Sequence, residues 1–144
     1  MILLLRSIMK NQRGQAMVEL ALITPIILIM LMGIVEFGRI YSAQLIINHA
    51  VREGARLAAV EQTDIQIRGA VKTSCNNNGI VITDSDITID PDDTPPRAAG
   101  SSVDVSAKYK VQLFAPIVKQ AFGVKDENDK FHREVTAKVT MRVE

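Results

Sequence analysis

LALITPIILIMLMGIV, residues 20–35, runs for sixteen residues without a charged side chain. Extending back to Ala16 gives twenty residues interrupted only by Glu19. At helical rise, twenty residues cover about 30 Å, the thickness of a bilayer's hydrocarbon core. A buried helix of a soluble domain is also apolar all round. The rest of this 144-residue chain, however, is too small to enclose such a helix on every side. The stretch is therefore expected to span a membrane. Arg6, Lys10 and Arg13 precede it with no acid among them, whereas Glu36, Arg39, Arg52, Glu53 and Arg56 follow it. Basic flanks stay cytoplasmic, which predicts a single-pass protein with its N-terminus inside and the rest outside.

A cleaved secretory signal competes with this reading. It requires small residues in an A-x-A-like frame after the apolar run. The best frame here, Tyr41-Ser42-Ala43, puts a ring where a small residue is needed. The single cysteine, Cys75, lies far from the run, so a lipid anchor has no attachment point and an intrachain disulfide has no second thiol. The span is expected to remain in the mature chain.

Glu19 is the residue that ordinary anchors lack. A carboxylate in an apolar segment costs several kcal/mol unless it is paired, protonated or close to the headgroups. One reading places it at the headgroup boundary beside Arg13 and Gln15. The other gives it a positive partner. Cutting after Gly14 would leave an ammonium on Gln15, four residues before Glu19 and on the same helix face. The ammonium of a neighbouring subunit would serve equally.

A basic leader, a glycine, a glutamate at the fifth position beyond it and a long apolar helix together resemble a type IV prepilin. The wider string is more specific. Residues 13–41 read RGQAMVELALITPIILIMLMGIVEFGRIY and residues 50–59 read AVREGARLAA. This resembles the TadE-like family, pilin-like components of the tight-adherence (Tad, or Flp) pilus and secretion machinery. The resemblance covers roughly residues 13–60. It rests on Arg13-Gly14, Val18-Glu19, Pro25, Glu36-Phe37-Gly38-Arg39 and Arg52-Glu53-Gly54-Ala55-Arg56. It implies a pseudopilin or minor pilin in the cell envelope. The implied partners are other pilin-like subunits, the inner-membrane platform proteins of the Tad system and membrane lipid; some members are also cut by a prepilin peptidase, here between Gly14 and Gln15, while others stay as uncut anchors. It also implies a docking role for Glu19. The leader departs from the pattern by opening on the apolar Met1-Ile2-Leu3-Leu4-Leu5, so Met9 is an alternative start.

Beyond Val35 the helical spacing continues through Phe37, Ile40, Tyr41 and Ile47, with no proline until Pro91. A helix from Gln15 to about Gln62 would be on the order of 70 Å long, half in lipid and half projecting as a stalk. Pro25 removes one backbone hydrogen bond and is expected to kink the rod. Glu36/Arg39 and Glu53/Arg56 are i,i+3 pairs expected on a solvated surface. Ala50, Gly54 and Ala58 form a smooth stripe. It suits close approach either by another subunit's helix or by the chain's own head.

The remainder reads as a small head. Asp64 is placed to cap a helix running to about Cys75, with Ile67, Ala70 and Val71 on its apolar face. Asn76-Asn77-Asn78-Gly79 stops it. Ile80–Thr83 and Ile87–Asp90 read as short strands, and Asp90–Ser102 as a loop. Val103–Leu113 alternates apolar and polar residues, as does Val135–Val143, which predicts an antiparallel pair. Pro116–Phe122 reads as a short helix or turn ending at Gly123, and Val124–Lys130 as a polar connection. The predicted architecture is α+β and pilin-like: leader 1–14, transmembrane helix and stalk 15–62, and a head of short helix plus antiparallel strands, 63–144.

Composition narrows function further. Lys+Arg 17 against Asp+Glu 16 leaves no basic excess for nucleic acid. His49 and His132 stand apart, with no metal-ligand spacing. Asp84-Ser85-Asp86 and Asp90-Pro91-Asp92-Asp93 lack the sixth-position glycine and closing glutamate of a calcium loop. No phosphate-binding loop and no G-x-S-x-G occurs. A structural, cofactor-free role is expected rather than an enzyme. The alternative is a bitopic anchor that carries a binding module and enters no filament.

Overall fold

The computed structural model describes residues 12–91, 98–125 and 130–144. Met1, Met9, Arg6, Lys10 and the acidic residues Asp92 and Asp93 lie outside the described residues.

One helix, α1 (Gln12–Ala59), dominates the chain with 48 residues. Its first half, Gln15 to Val35, is exposed along nearly its whole length. Its second half is a core element. Ile47, Ala50, Val51, Ala55 and Ala58 are fully buried. The helix ends three residues before the expected Gln62. Glu61 adopts φ 57°, a left-handed conformation that disfavours L side chains. It closes a Schellman turn in which Gln62 N donates to Leu57 O at 3.1 Å and Glu61 N to Ala58 O at 3.2 Å.

Helix α2 (Asp64–Asn76) folds back against α1. Its cap is Thr63, one residue before the expected Asp64. Gln66 N donates to Thr63 Oγ1 at 3.4 Å, and Thr63 N donates to Gln66 Oε1 at 3.1 Å. This reciprocal capping box satisfies two end donors at once. Asp64 becomes the acid of the first turn, where it complements the helix dipole.

Four strands follow: β1 (Ile87–Asp90), β2 (Ser102–Gln112), β3 (Val124–Lys125) and β4 (Phe131–Arg142), with α3 (Pro116–Phe122) between β2 and β3. They form one antiparallel sheet in the order β1-β2-β4-β3. The long pair is in register with Val105 opposite Val139, Ala107 opposite Ala137 and Tyr109 opposite Val135. Alternation therefore turns one face inward and leaves Asp104, Ser106, Lys108, Thr136, Lys138 and Thr140 on the other. On that outer face Lys138 Nζ reaches Asp104 Oδ2 at 2.7 Å, and this contact holds the Asp104 carboxyl below its ordinary range.

Two sequence expectations are corrected here. Ile80–Thr83 is not a strand. Ile80 and Ile82 are buried and Val81 is exposed, so the alternation is real. No strand among the described residues pairs with it. Its backbone turns instead, with Ile80 N donating to Cys75 O at 3.0 Å and Thr83 entering a 3-10 turn over Asp84–Asp86. The connection after Gly123 is not wholly irregular either. Val124 and Lys125 pair with His132 and Phe131, which also starts β4 earlier than Val135.

The core is a layer of α1 and α2 against the inner sheet face. Ile47 and Val51 of α1, Ile67, Val71 and Cys75 of α2, and Val103 and Val105 of β2 are sealed from water. Cys75 is a free thiol within it, and burial pushes its pKa up. It acts here as a small apolar filler. The upper half of the long helix and the head thus share one core, which fixes the head's position along the rod.

Candidate functional site

The candidate site is α1 itself, taken from its N-terminal end toward the head. Gly14 and Gln15 lie in the first turns. Gln15 Nε2 donates to Glu19 Oε1 at 3.2 Å across four residues, so residue 15 and the carboxylate of Glu19 do share a face. Both side chains are exposed among Met17, Val18, Leu20 and Leu22, which are also bare. The helix runs on through Pro25. Pro25 has no N–H for the carbonyl one turn back, and beside that gap Thr24 Oγ1 donates to Leu20 O at 2.7 Å. One helix of the described residues is long and apolar enough to cross a membrane, and it is this one.

Just beyond Val35 the surface changes character. Glu36 is only 3% exposed. Its carboxylate accepts from Phe114 N at 3.3 Å, from Ala115 N at 3.3 Å and from Arg39 Nη1 at 3.1 Å. The two amides belong to the turn between β2 and α3, so a side chain of α1 supplies the acceptor that this turn's backbone lacks. The guanidinium of Arg39 also lies over the Phe114 ring, 4.5 Å from its centroid. The pair expected to be a solvated surface contact is therefore a clamp between helix and head. Sequence spacing found Glu36 and Arg39 but not their partner, because a turn 78 residues away leaves no local signal. Phe37, in the same motif, is half exposed and borders the start of the helix after the turn, at Ala115 and Pro116, whereas a side chain at Gly38 would meet nothing.

Higher on the helix the stripe of small residues is occupied. Ala50 and Ala58 are fully buried. A Cβ built on Gly54 would fall 2.5 Å from Val71 Cγ2 and 3.5 Å from both Ile67 Cγ2 and Val105 Cγ1. The helix that approaches the stripe is this chain's own α2. Arg52, Glu53 and Arg56 lie on the opposite, outer side. Arg56 Nη2 meets Glu53 Oε1 at 2.7 Å, and this hydrogen bond lowers the Glu53 pKa and raises that of Arg56. Among the described residues no group of three metal-ligating side chains converges.

Residues 14–56 match the family model described as TadE-like protein. The match begins at Gly14 and takes in the bare helix, the Glu36 clamp and most of the buried stripe. No curated protein and no solved structure gives a significant match to the chain.

Proposed function

We propose that this TadE-like chain is a membrane-anchored pilin-like subunit, a pseudopilin or minor pilin, of a Tad-type pilus assembly or secretion machine. One observation carries the reading. The family match falls on a helix whose upper half is fixed in a folded head while its lower half, with Glu19, is bare. A bare apolar helix requires lipid or sister helices around it, and both are available to a subunit that waits in a membrane and then packs with its neighbours. The proposed division is a cytoplasmic leader over 1–14, a membrane helix and stalk over 15–62 and an extracytoplasmic head over 63–144. The anchoring membrane is the inner membrane, with the N-terminus cytoplasmic. The role is structural, and the partners are other pilin-like subunits and the platform proteins of the system.

Glu19 is the proposed docking residue, and Gly14–Gln15 the bond cut by a prepilin peptidase. The intact-mass spectrum of the chain from membranes of its own host is expected to begin at Gln15. A chain beginning at Met1 or Met9 would leave an uncut anchor, and Glu19 would lose the ammonium of residue 15 as its partner. Replacing Glu19 with Ala is expected to impair assembly while membrane insertion persists, since removing a charge from the span favours insertion. Counting pili by electron microscopy alongside membrane fractionation checks both halves. Normal piliation in that variant removes Glu19 from the mechanism and favours a plain bitopic anchor bearing a binding module.

A further inference from the structure

The head-facing side of α1 continues below the head. Ile29, Met32, Gly33 and Phe37 line an apolar groove of about 560 Å³, roofed by Ala115 and Pro116 at the start of α3. Ile29 to Gly33 lie about 3–9 Å inside the outer end of the uncharged stretch, counted at helical rise. A surface at that depth meets hydrocarbon rather than water.

Directly above, the chemistry turns cationic. Phe114 is 64% exposed, and Arg39 stacks on its ring. The same ring borders a second cavity of about 260 Å³ that Lys119 and Lys130 also line. Basic side chains beside an exposed aromatic ring, over an apolar slot, match the order of groups in an anionic phospholipid: phosphate, interfacial ester, acyl chain.

We infer that this groove binds one anionic phospholipid of the head-side leaflet, with an acyl chain along Gly33 and the phosphate between Lys119 and Lys130, which line one cavity. A second copy of the chain fits less well. Its α1 has no charge between Leu20 and Val35 to offer these cations. Its Glu36 is buried and already accepts from three donors, and its own Lys119 and Lys130 would repel these lysines. The inference rests on the membrane-anchor reading above.

Native mass spectrometry of the full chain, released from nanodiscs of mixed phosphatidylcholine and phosphatidylglycerol, tests it. The wild type is expected to retain one phosphatidylglycerol. Gly33→Leu is expected to lose it, because a side chain there meets nothing and projects into the groove. Lys119→Gln and Lys130→Gln are each expected to reduce the preference for the anionic lipid about fivefold. Retention of lipid by Gly33→Leu at the wild-type level, or equal retention of the two lipids by wild type, overturns the inference. So does a protein dimer that Gly33→Leu disperses, which assigns the groove to a second copy. Vesicle flotation separates the two levels: a wild type that fails to float overturns the membrane reading as well, whereas one that floats without retained lipid overturns the lipid site alone.

Discussion

Glu36→Ala is expected to cost the folded head about 3 kcal/mol, although the residue lies on the rod rather than in the head's apolar core. The magnitude follows from what the side chain leaves behind. Each buried donor stripped of its acceptor costs about 1–3 kcal/mol, and a charged acceptor is worth more than a neutral one. Phe114 N and Ala115 N would both lose theirs. Arg39 would lose an ion-pair partner, but its side chain is 41% exposed and water can replace the contact. Arg39→Ala is expected to cost less than Glu36→Ala, because the buried carboxylate keeps both amide donors. Glu36→Gln should fall between the two, because it keeps one acceptor oxygen and gives up the charge. Denaturant unfolding of the detergent-solubilised full chain, followed by circular dichroism, measures all three. Equal stability of Glu36→Ala and Arg39→Ala would mean that the buried carboxylate does not hold the turn. The expected consequence is geometric as well as energetic. The clamp sits where the helix leaves the apolar run, so its loss frees the β2–α3 turn and the roof of the groove while the core above stays packed.

How much of this was legible in the sequence differs between the two halves of the clamp. The long helix, α2 and the β2/β4 pair follow from apolar periodicity, which is a local property and survives without tertiary context. The uncharged run and Glu19 are equally local. Glu36 shows the limit. An acid beside an arginine three residues on reads as a surface pair by every local rule, and the fact that reverses the reading is the position of the turn at Phe114. Ile80–Thr83 fails for the same reason in the opposite direction. Its alternation is that of a strand, yet a strand exists only where a backbone ladder forms, and this backbone is turned back onto Cys75 at one end and into a 3-10 turn at the other. The stripe at Ala50, Gly54 and Ala58 was visible as a place for close approach. Which helix would approach was not, since small residues specify distance and leave the partner open.

Gly54 is where that distinction has its largest expected effect. Gly54→Leu is expected to prevent native packing of the head altogether, with the chain still membrane-inserted. Even a single Cβ at this position lies 2.5 Å from Val71 Cγ2, closer than side-chain carbons are found to pack. Val71 cannot yield easily: it is β-branched, fully buried and backed by the core. Glycine in a helix interior gives up about 0.5–1 kcal/mol relative to alanine, so Gly54→Ala gains that amount in helix propensity. Overpacking costs about 1–3 kcal/mol, which leaves a net loss. Leucine adds three more carbons to a contact that is already too short, and α2 must then separate from α1. Gly38→Leu is the control. It makes the same change on the same helix where a side chain meets nothing, and it should leave the head intact. Limited proteolysis of both variants in membranes reads the difference: rapid cleavage within residues 63–144 for Gly54→Leu and a wild-type pattern for Gly38→Leu. Wild-type resistance in Gly54→Leu would mean that α2 is not packed on this stripe and that the surface is free for another subunit. With the stripe committed to α2, any failure of assembly in Gly54→Leu arises from an unfolded head. The stripe is then excluded as a contact between subunits, while the bare lower half of the helix, where Glu19 lies, stays open to one.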